Sequence, residues 1–207
     1  MKEIMIATAN PGKAKEFKSL FAKYNIDVKT LLDFPNYPEI PETGETFIEN
    51  ATIKATTAAK DLHIPVIADD SGLSVDALDG APGVYSARYA GPEKSDANNR
   101  KKLLDALSDV TDEQRTARFH TYLVVADAEG HVLKSYHGTL DGFITREERG
   151  ENGFGYDAIF YVPSKDKTTA QMSAEQKDSL SHRGNALRLL AKDLENGELI
   201  LHEDINH

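Results

Sequence analysis

The spacing of apolar residues changes character halfway along the chain, and that change limits the folds open to it. In the first half, short apolar runs alternate with stripes at helical spacing. "IMIA" is followed by Phe17, Leu20, Phe21 and Tyr24 at helical intervals, and "IDVKTLLDF" reads as a second strand entering a loop. "NYPEIPETGE", rich in proline and acid, reads as irregular. Phe47, Ile48, Ala51, Ala55, Ala58, Ala59 and Leu62 then form one helical stripe, and "IPVIADD" is a short strand ending in acids. A glycine-punctuated loop, "SGLSVDALDGAPGVYSARYAG", leads to a helix "SDANNRKKLLDAL" capped by Ser95 or Asp96. The second half opens with two long β-rich runs around the turn "DAEG", as in an antiparallel hairpin. "GYDAIFYVP" reads as a further strand and "SHRGNALRLLAKDLEN" as a capped helix. This mixture predicts an α/β protein with a long mixed sheet, helices on its faces and a cleft between two halves. The 207 residues contain no repeat or linker, so a single domain over 1–207 is expected.

Composition excludes several classes of function. The 34 acidic and 24 basic side chains leave a net charge of −10, which argues against a basic face for long nucleic acid. Small anionic substrates stay open, because a local cation cluster or a metal ion overcomes the global field. Cysteine is absent, so no disulfide frame, Cys-ligated zinc or thiol nucleophile can form. No run is long enough to span a membrane, and "MKEIMIATAN" lacks the apolar core of a signal peptide, so the expectation is a cytoplasmic protein.

Four clusters could carry chemistry. In "ATANPGKAKEF", Thr8, Asn10 and Lys13 could donate to phosphate oxygens, and Gly12 permits close approach. The stretch is not a P-loop, since Ala14 stands where a magnesium-binding hydroxyl should be, and taken alone it reads first as an ordinary strand-to-helix turn. Asp69 and Asp70 follow "VIA" at the expected end of a strand, the usual ligand position in open α/β sheets. Glu42, Glu45 and Glu49 are the carboxylates available to join them, and an oxygen-only set suits magnesium. A capped turn over "DDSG" is the plainer reading. In "GFGYDAIF", flanking glycines could expose the Phe154 ring to a flat ligand, or simply bend a strand around a core aromatic. In "SLSHRGNALRLL", Ser181 would cap a helix whose first turn holds His182 and Arg183, cations that oppose the helix dipole. Such a broken rule hints at function; a solvated Arg and a partly buried His are the alternative. The other histidines lack metal-ligand spacing.

Together, "ATANPGKAKEF", "PETGETFIENATIKA", "ADDSGLSVDALDGAPGVYSARYAG", "NGFGYDAIFYVP" and "SHRGNALRLL" resemble the inosine-triphosphate pyrophosphatase family, enzymes of the dITP/XTP type. The resemblance runs from about Lys2 to about Leu194, leaving the tail 196–207 without a reading. It implies an elongated α/β fold with the site in a cleft between two lobes, a homodimer, and magnesium (Mg2+) as cofactor. It implies hydrolysis of ITP, dITP and XTP to the monophosphate plus pyrophosphate. By motif, Thr8, Ala9, Asn10, Pro11, Gly12 and Lys13 resemble the triphosphate cradle, with Lys54 and Arg88 as further phosphate-binding cations. Asp70 resembles the catalytic base, Glu42 and Asp70 the metal ligands, and Ser71 a substrate contact. Phe154, Gly155, Tyr156 and Asp157 match the base-binding strand, and Lys177, His182 and Arg183 the residues that read the purine. A house-cleaning pyrophosphatase for other modified nucleotides and a non-catalytic nucleotide sensor are the competing readings. Partners are thus small purine nucleotides, with no nucleic acid and no membrane.

Overall fold

Ile4, Met5, Ile6 and Ala7 are consecutive and all buried, which requires a strand covered on both faces. The computed structural model describes residues 2–201 and places these four at the centre of such a layered arrangement. Its elements are β1 (Lys2–Ile6), α1 (Pro11–Ala22), β2 (Ile26–Thr30), α2 (Phe47–Leu62), β3 (Val66–Val75) and α3 (Asp96–Ala106). They continue with β4 (Thr116–Ala126), β5 (Val132–Ile144), β6 (Phe160–Val162), β7 (Lys167–Thr168), α4 (Ala174–Asp178) and α5 (His182–Glu195). The strands form one sheet in the order β2-β1-β3-β4-β5-β6-β7. β1 lies parallel to β2, from Lys2 opposite Ile26 to Ile6 opposite Thr30, and parallel to β3. The β5–β6 and β6–β7 pairs are antiparallel. The sheet is therefore mixed and flanked by helices, the α/β class that the alternation predicts.

Contacts divide the chain into two units: residues 1–70, 122–138 and 184–207, and residues 71–121 and 139–183. In the first, alternate strand residues feed two separate cores, as the period of two demands. Ile4, Ile6, Ile67, Leu123 and Val125 pack with Phe17, Leu20 and Phe21 of α1 and Ala186, Leu187 and Leu190 of α5. Met5, Ala7, Val66, Ala68, Val124 and Ala126 pack on Ala51, Ala55, Ala58 and Ala59 of α2. An all-alanine contact stripe lets α2 approach the sheet closely, so side chains on its flanks can reach the strand beneath. Phe17 and Phe21 are fully buried, each worth about 1.5–3 kcal/mol of hydrophobic free energy. In the second unit, Leu73 and Val75 of β3 join Leu103, Leu107, Phe119, Ile159, Phe160 and Met172 in a third core.

Two expectations need correction. β3 does not stop at the acids. It runs on to Val75, because past the acids Leu73 and Val75 are buried in alternation with half-buried Gly72 and Ser74, and Asp69 and Asp70 fall mid-strand. "GYDAIFYVP" is strand only over Phe160–Val162, because Gly153 and Gly155 adopt φ of +74° and +59°, and residues 154–156 form a turn.

Candidate active site

In the first unit, the opening turn owes its shape to Asn10. Its side chain caps α1 by accepting from the Lys13 N–H at 3.1 Å, with Pro11 at the first helical position, where a missing N–H costs nothing. Thr8 Oγ1 in turn accepts from the Asn10 N–H at 3.2 Å. Thr8 is buried, Ala9 exposed, and Gly12 sits in the first turn of the helix. The helix start aims the Lys13 ammonium at Asp69, 2.8 Å away, whose side chain is fully buried.

The segment carrying Glu42 is clipped to the start of α2. Thr46 caps that helix by accepting from the Glu49 N–H, Glu49 accepts from the Glu45 N–H at 2.7 Å, and the buried Asn50 accepts from the Gly44 N–H at 2.8 Å. A side chain at Gly44 would meet Asn50 and Glu49 at 2.7 Å, so the clip admits only glycine. Glu49 therefore shapes the loop, and Glu42 is the glutamate that joins the acids. Lys54, two turns into α2, lies among them: 3.0 Å from Glu42, 3.6 Å from Asp70 Oδ1, and within hydrogen-bond reach of the Asp69 carbonyl. Burial opposes its charge, but Asp70, Glu42 and Asp69 outweigh that and hold its pKa above the usual lysine value. Asp70 is 5% exposed, and burial pushes its pKa up to about 6 despite Lys54 and Lys13, with Glu42 and Asp69 adding to the push. Asp70 Oδ2 is buried and makes no hydrogen bond among the described residues. A buried carboxylate oxygen with an open lone pair beside a second carboxylate fits a hard divalent cation such as magnesium.

In the second unit, His182 and Arg183 begin α5, and they are 5% and 2% exposed, so the solvated-surface alternative fails. The His182 ring stacks on Phe119 with centroids 4.6 Å apart, and Arg183 donates to Ser71 Oγ at 2.8 Å. Lys177 and Arg183 hold their cationic groups 4.9 and 5.8 Å from the centre of the half-buried Phe154 ring. Gly153 allows the turn to wrap Asp157; a Cβ there would come within 2.1 Å of the carboxylate. Gly155 is pinned by its N–H to Asp96 and by its carbonyl to Arg100. Tyr156 is buried with its hydroxyl on the Ser86 carbonyl, so it braces the turn from behind. Arg88 lies 5.1 Å over the Tyr85 ring, in a loop that the buried Asn99 of α3 clamps at Ala87 and Ala90.

One unit thus gathers Lys13, Glu42, Lys54, Asp69 and Asp70. The other gathers Ser71, Phe154, Asp157, Lys177, His182 and Arg183. Sequence reasoning passed over Asn50, Asn99 and Thr169. Asn50 left a signal, a polar residue inside an alanine stripe; the other two left none. Asp127, Glu129 and His131 also lie close enough to share a cation, but Asp127 is occupied as the cap of the β4–β5 turn, accepting from the Glu129 and His131 N–H groups.

Each unit thus brings its own chemistry: buried carboxylates set among lysines in the first, and an aromatic ring set among cations in the second. The model of the Ham1 family matches residues 4–193, and the chain belongs to that family. It is 55% identical over 195 residues to the dITP/XTP pyrophosphatase of Geobacillus kaustophilus, covering 94% of this chain and 95% of that one. It is 56% identical over 194 residues to the dITP/XTP pyrophosphatase of Listeria monocytogenes, with the same coverage of 94% and 95%. The solved structure of the Staphylococcus aureus Ham1 protein superposes with a TM-score of 0.81 at 48% identity, over 95% of this chain and 100% of that one.

Proposed function

We propose that this chain hydrolyses deaminated purine nucleoside triphosphates (ITP, dITP and XTP) to the monophosphate and pyrophosphate, acting over its length as one catalytic domain. The observation that carries this reading is Asp70: a buried carboxylate with one oxygen open to a new partner, ringed by Glu42, Lys54 and Lys13. Lys13, Lys54 and Arg88, with the turn from Thr8 to Lys13, hold the triphosphate. A magnesium ion on Glu42 and Asp70 would supply charge neutralisation at the phosphates and a lowered pKa for bound water. Asp70 orients the attacking water toward the α-phosphorus and accepts its proton, and pyrophosphate leaves.

Base choice rests on hydrogen-bond polarity. Hypoxanthine and xanthine present a 6-keto acceptor where adenine presents a 6-amino donor. Arg183 only donates, and a histidine donates from its protonated nitrogen, so both suit the keto group. An amino group opposite them would leave buried donors unpaired, at about 1–3 kcal/mol each. The Phe154 ring offers the stacking face. The reading also includes a homodimer, for which Leu32, Phe34, Ile64, Val132 and Leu133 are exposed apolar side chains in one unit. It places the enzyme with the cytoplasmic nucleotide pool.

Product analysis with magnesium on ITP, XTP, GTP and ATP tests the reading. ITP and XTP are expected to give monophosphate plus pyrophosphate, with ATP nearly untouched. Diphosphate plus phosphate would move the attack to the terminal phosphorus and overturn the assignment of the water.

A further inference from the structure

The wall behind Phe154 is held by Asp157, and Asp157 in turn by Thr169, a side chain that none of the sequence motifs singles out. Asp157 is 3% exposed, and its carboxylate is shared three ways. Oδ2 accepts from Lys177 Nζ at 2.6 Å and from the Phe154 N–H at 3.0 Å. Oδ1 accepts from Thr169 Oγ1 at 2.7 Å, and Thr169 is itself 1% exposed. Two donors on one oxygen leave the carboxylate free to rock about its Cβ–Cγ bond; a third donor on the other oxygen fixes its plane.

Thr169 can do this because its own segment is clipped down. Thr168 Oγ1 donates to the Arg149 carbonyl at 2.6 Å, and Asn152 donates to the carbonyls of Ala170 and Met172, each at 3.0 Å. The Thr168 N–H is taken by the Gln171 side chain at 2.9 Å. We propose that Thr169 is a positioning residue for base recognition: through Asp157 it sets the Phe154 ring and the Lys177 ammonium against which the purine is read. This rests on the function proposed above.

The test compares Thr169→Val and Thr169→Ser with the wild type, measuring kcat and KM for ITP and the inhibition constant of inorganic tripolyphosphate, a probe without a base. Thr169→Val is expected to raise KM for ITP about tenfold and to leave kcat within about threefold. The inhibition constant of tripolyphosphate stays within about twofold, and Thr169→Ser, which keeps the hydroxyl, returns KM to within about twofold of wild type. General damage to the fold would move kcat and tripolyphosphate binding as well. An unchanged KM, a parallel rise in KM and in the tripolyphosphate constant, or failure of serine to rescue would overturn the assignment. Should the valine variant not fold, Thr169→Ala removes the same hydroxyl and is read the same way. A wild type that turns over ATP as readily as ITP would sink the functional reading and this one with it. A wild type that selects ITP, with a selectivity that Thr169→Val leaves intact, sinks this one alone.

Discussion

Asp70, the base of the proposed reaction, sits where its surroundings resist its charge. Its pKa is pushed up to about 6 chiefly by burial, whereas an unfolded carboxyl titrates near 3.8. Between about pH 6 and pH 4 the folded state therefore binds a proton that the unfolded chain does not. This group's contribution favours folding as pH falls through that window and disfavours it above. Asp70→Asn removes the charge at little cost in shape. In the presence of a chelator it should be more stable than wild type by about 1–3 kcal/mol near neutral pH, with the gain shrinking toward pH 4. Thermal melts of both proteins across that range check this; a gain independent of pH would contradict it. The same variant should lose kcat by about 10²–10⁴ while folding normally, the measure of a lost general base.

At the scale of elements, Arg115 does for the second unit what caps do for helices. It is 2% exposed and its guanidinium donates to four carbonyls: Leu107 at 2.6 Å and Val110 at 3.3 Å past the end of α3, and Ile144 at 2.9 Å and Thr145 at 2.8 Å at the end of β5. Burial pulls its pKa below the usual arginine value, yet not enough to uncharge it. One planar group thereby ties a helix terminus to a strand terminus across a long stretch of sequence. Arg115→Met keeps the bulk and leaves those carbonyls short of donors, so urea unfolding should show a loss of about 3–5 kcal/mol. A loss under about 1 kcal/mol would mean that water replaces the guanidinium. Helices were the most legible elements. The α2 stripe and the Ser95 cap stand where their patterns put them, whereas the Asn10 cap came only with the structure. The 154–157 turn was not legible, because its shape is set by Asp157, Asp96 and Arg100 from other segments and not by any local period.

For the whole molecule, the tail beyond the family resemblance is structural over its described part. Just past the end of α5, Gly197, with φ of +73°, turns the chain so that the Glu198 and Leu199 N–H groups both reach the Asp193 carbonyl. Leu199 and Leu201 then enter the core of Phe17, Phe21 and Tyr136, at 4% and 9% exposure. Leu199→Ala should lower stability by about 2–4 kcal/mol in denaturant or thermal unfolding, without altering which nucleotide is hydrolysed. An effect on nucleotide choice instead would give the tail a part in the site. Residues 202–207 lie outside the described residues.

By itself the sequence determined the buried stripes of α1 and α2, where α2, α3 and α5 begin, the class of fold, and the short motifs that carry Lys13, Asp70, Phe154 and Arg183. Period and capping are local properties, written into neighbouring residues. Only the tertiary structure decided that Lys13 answers Asp69 and that Lys54 lies between Glu42 and Asp70. It also decided that β3 carries its acids in mid-strand, and that His182 and Arg183 are buried. Those outcomes depend on charge meeting charge under desolvation, and the partners come from segments far apart in the chain. No spacing along one element records which distant group will stand opposite it.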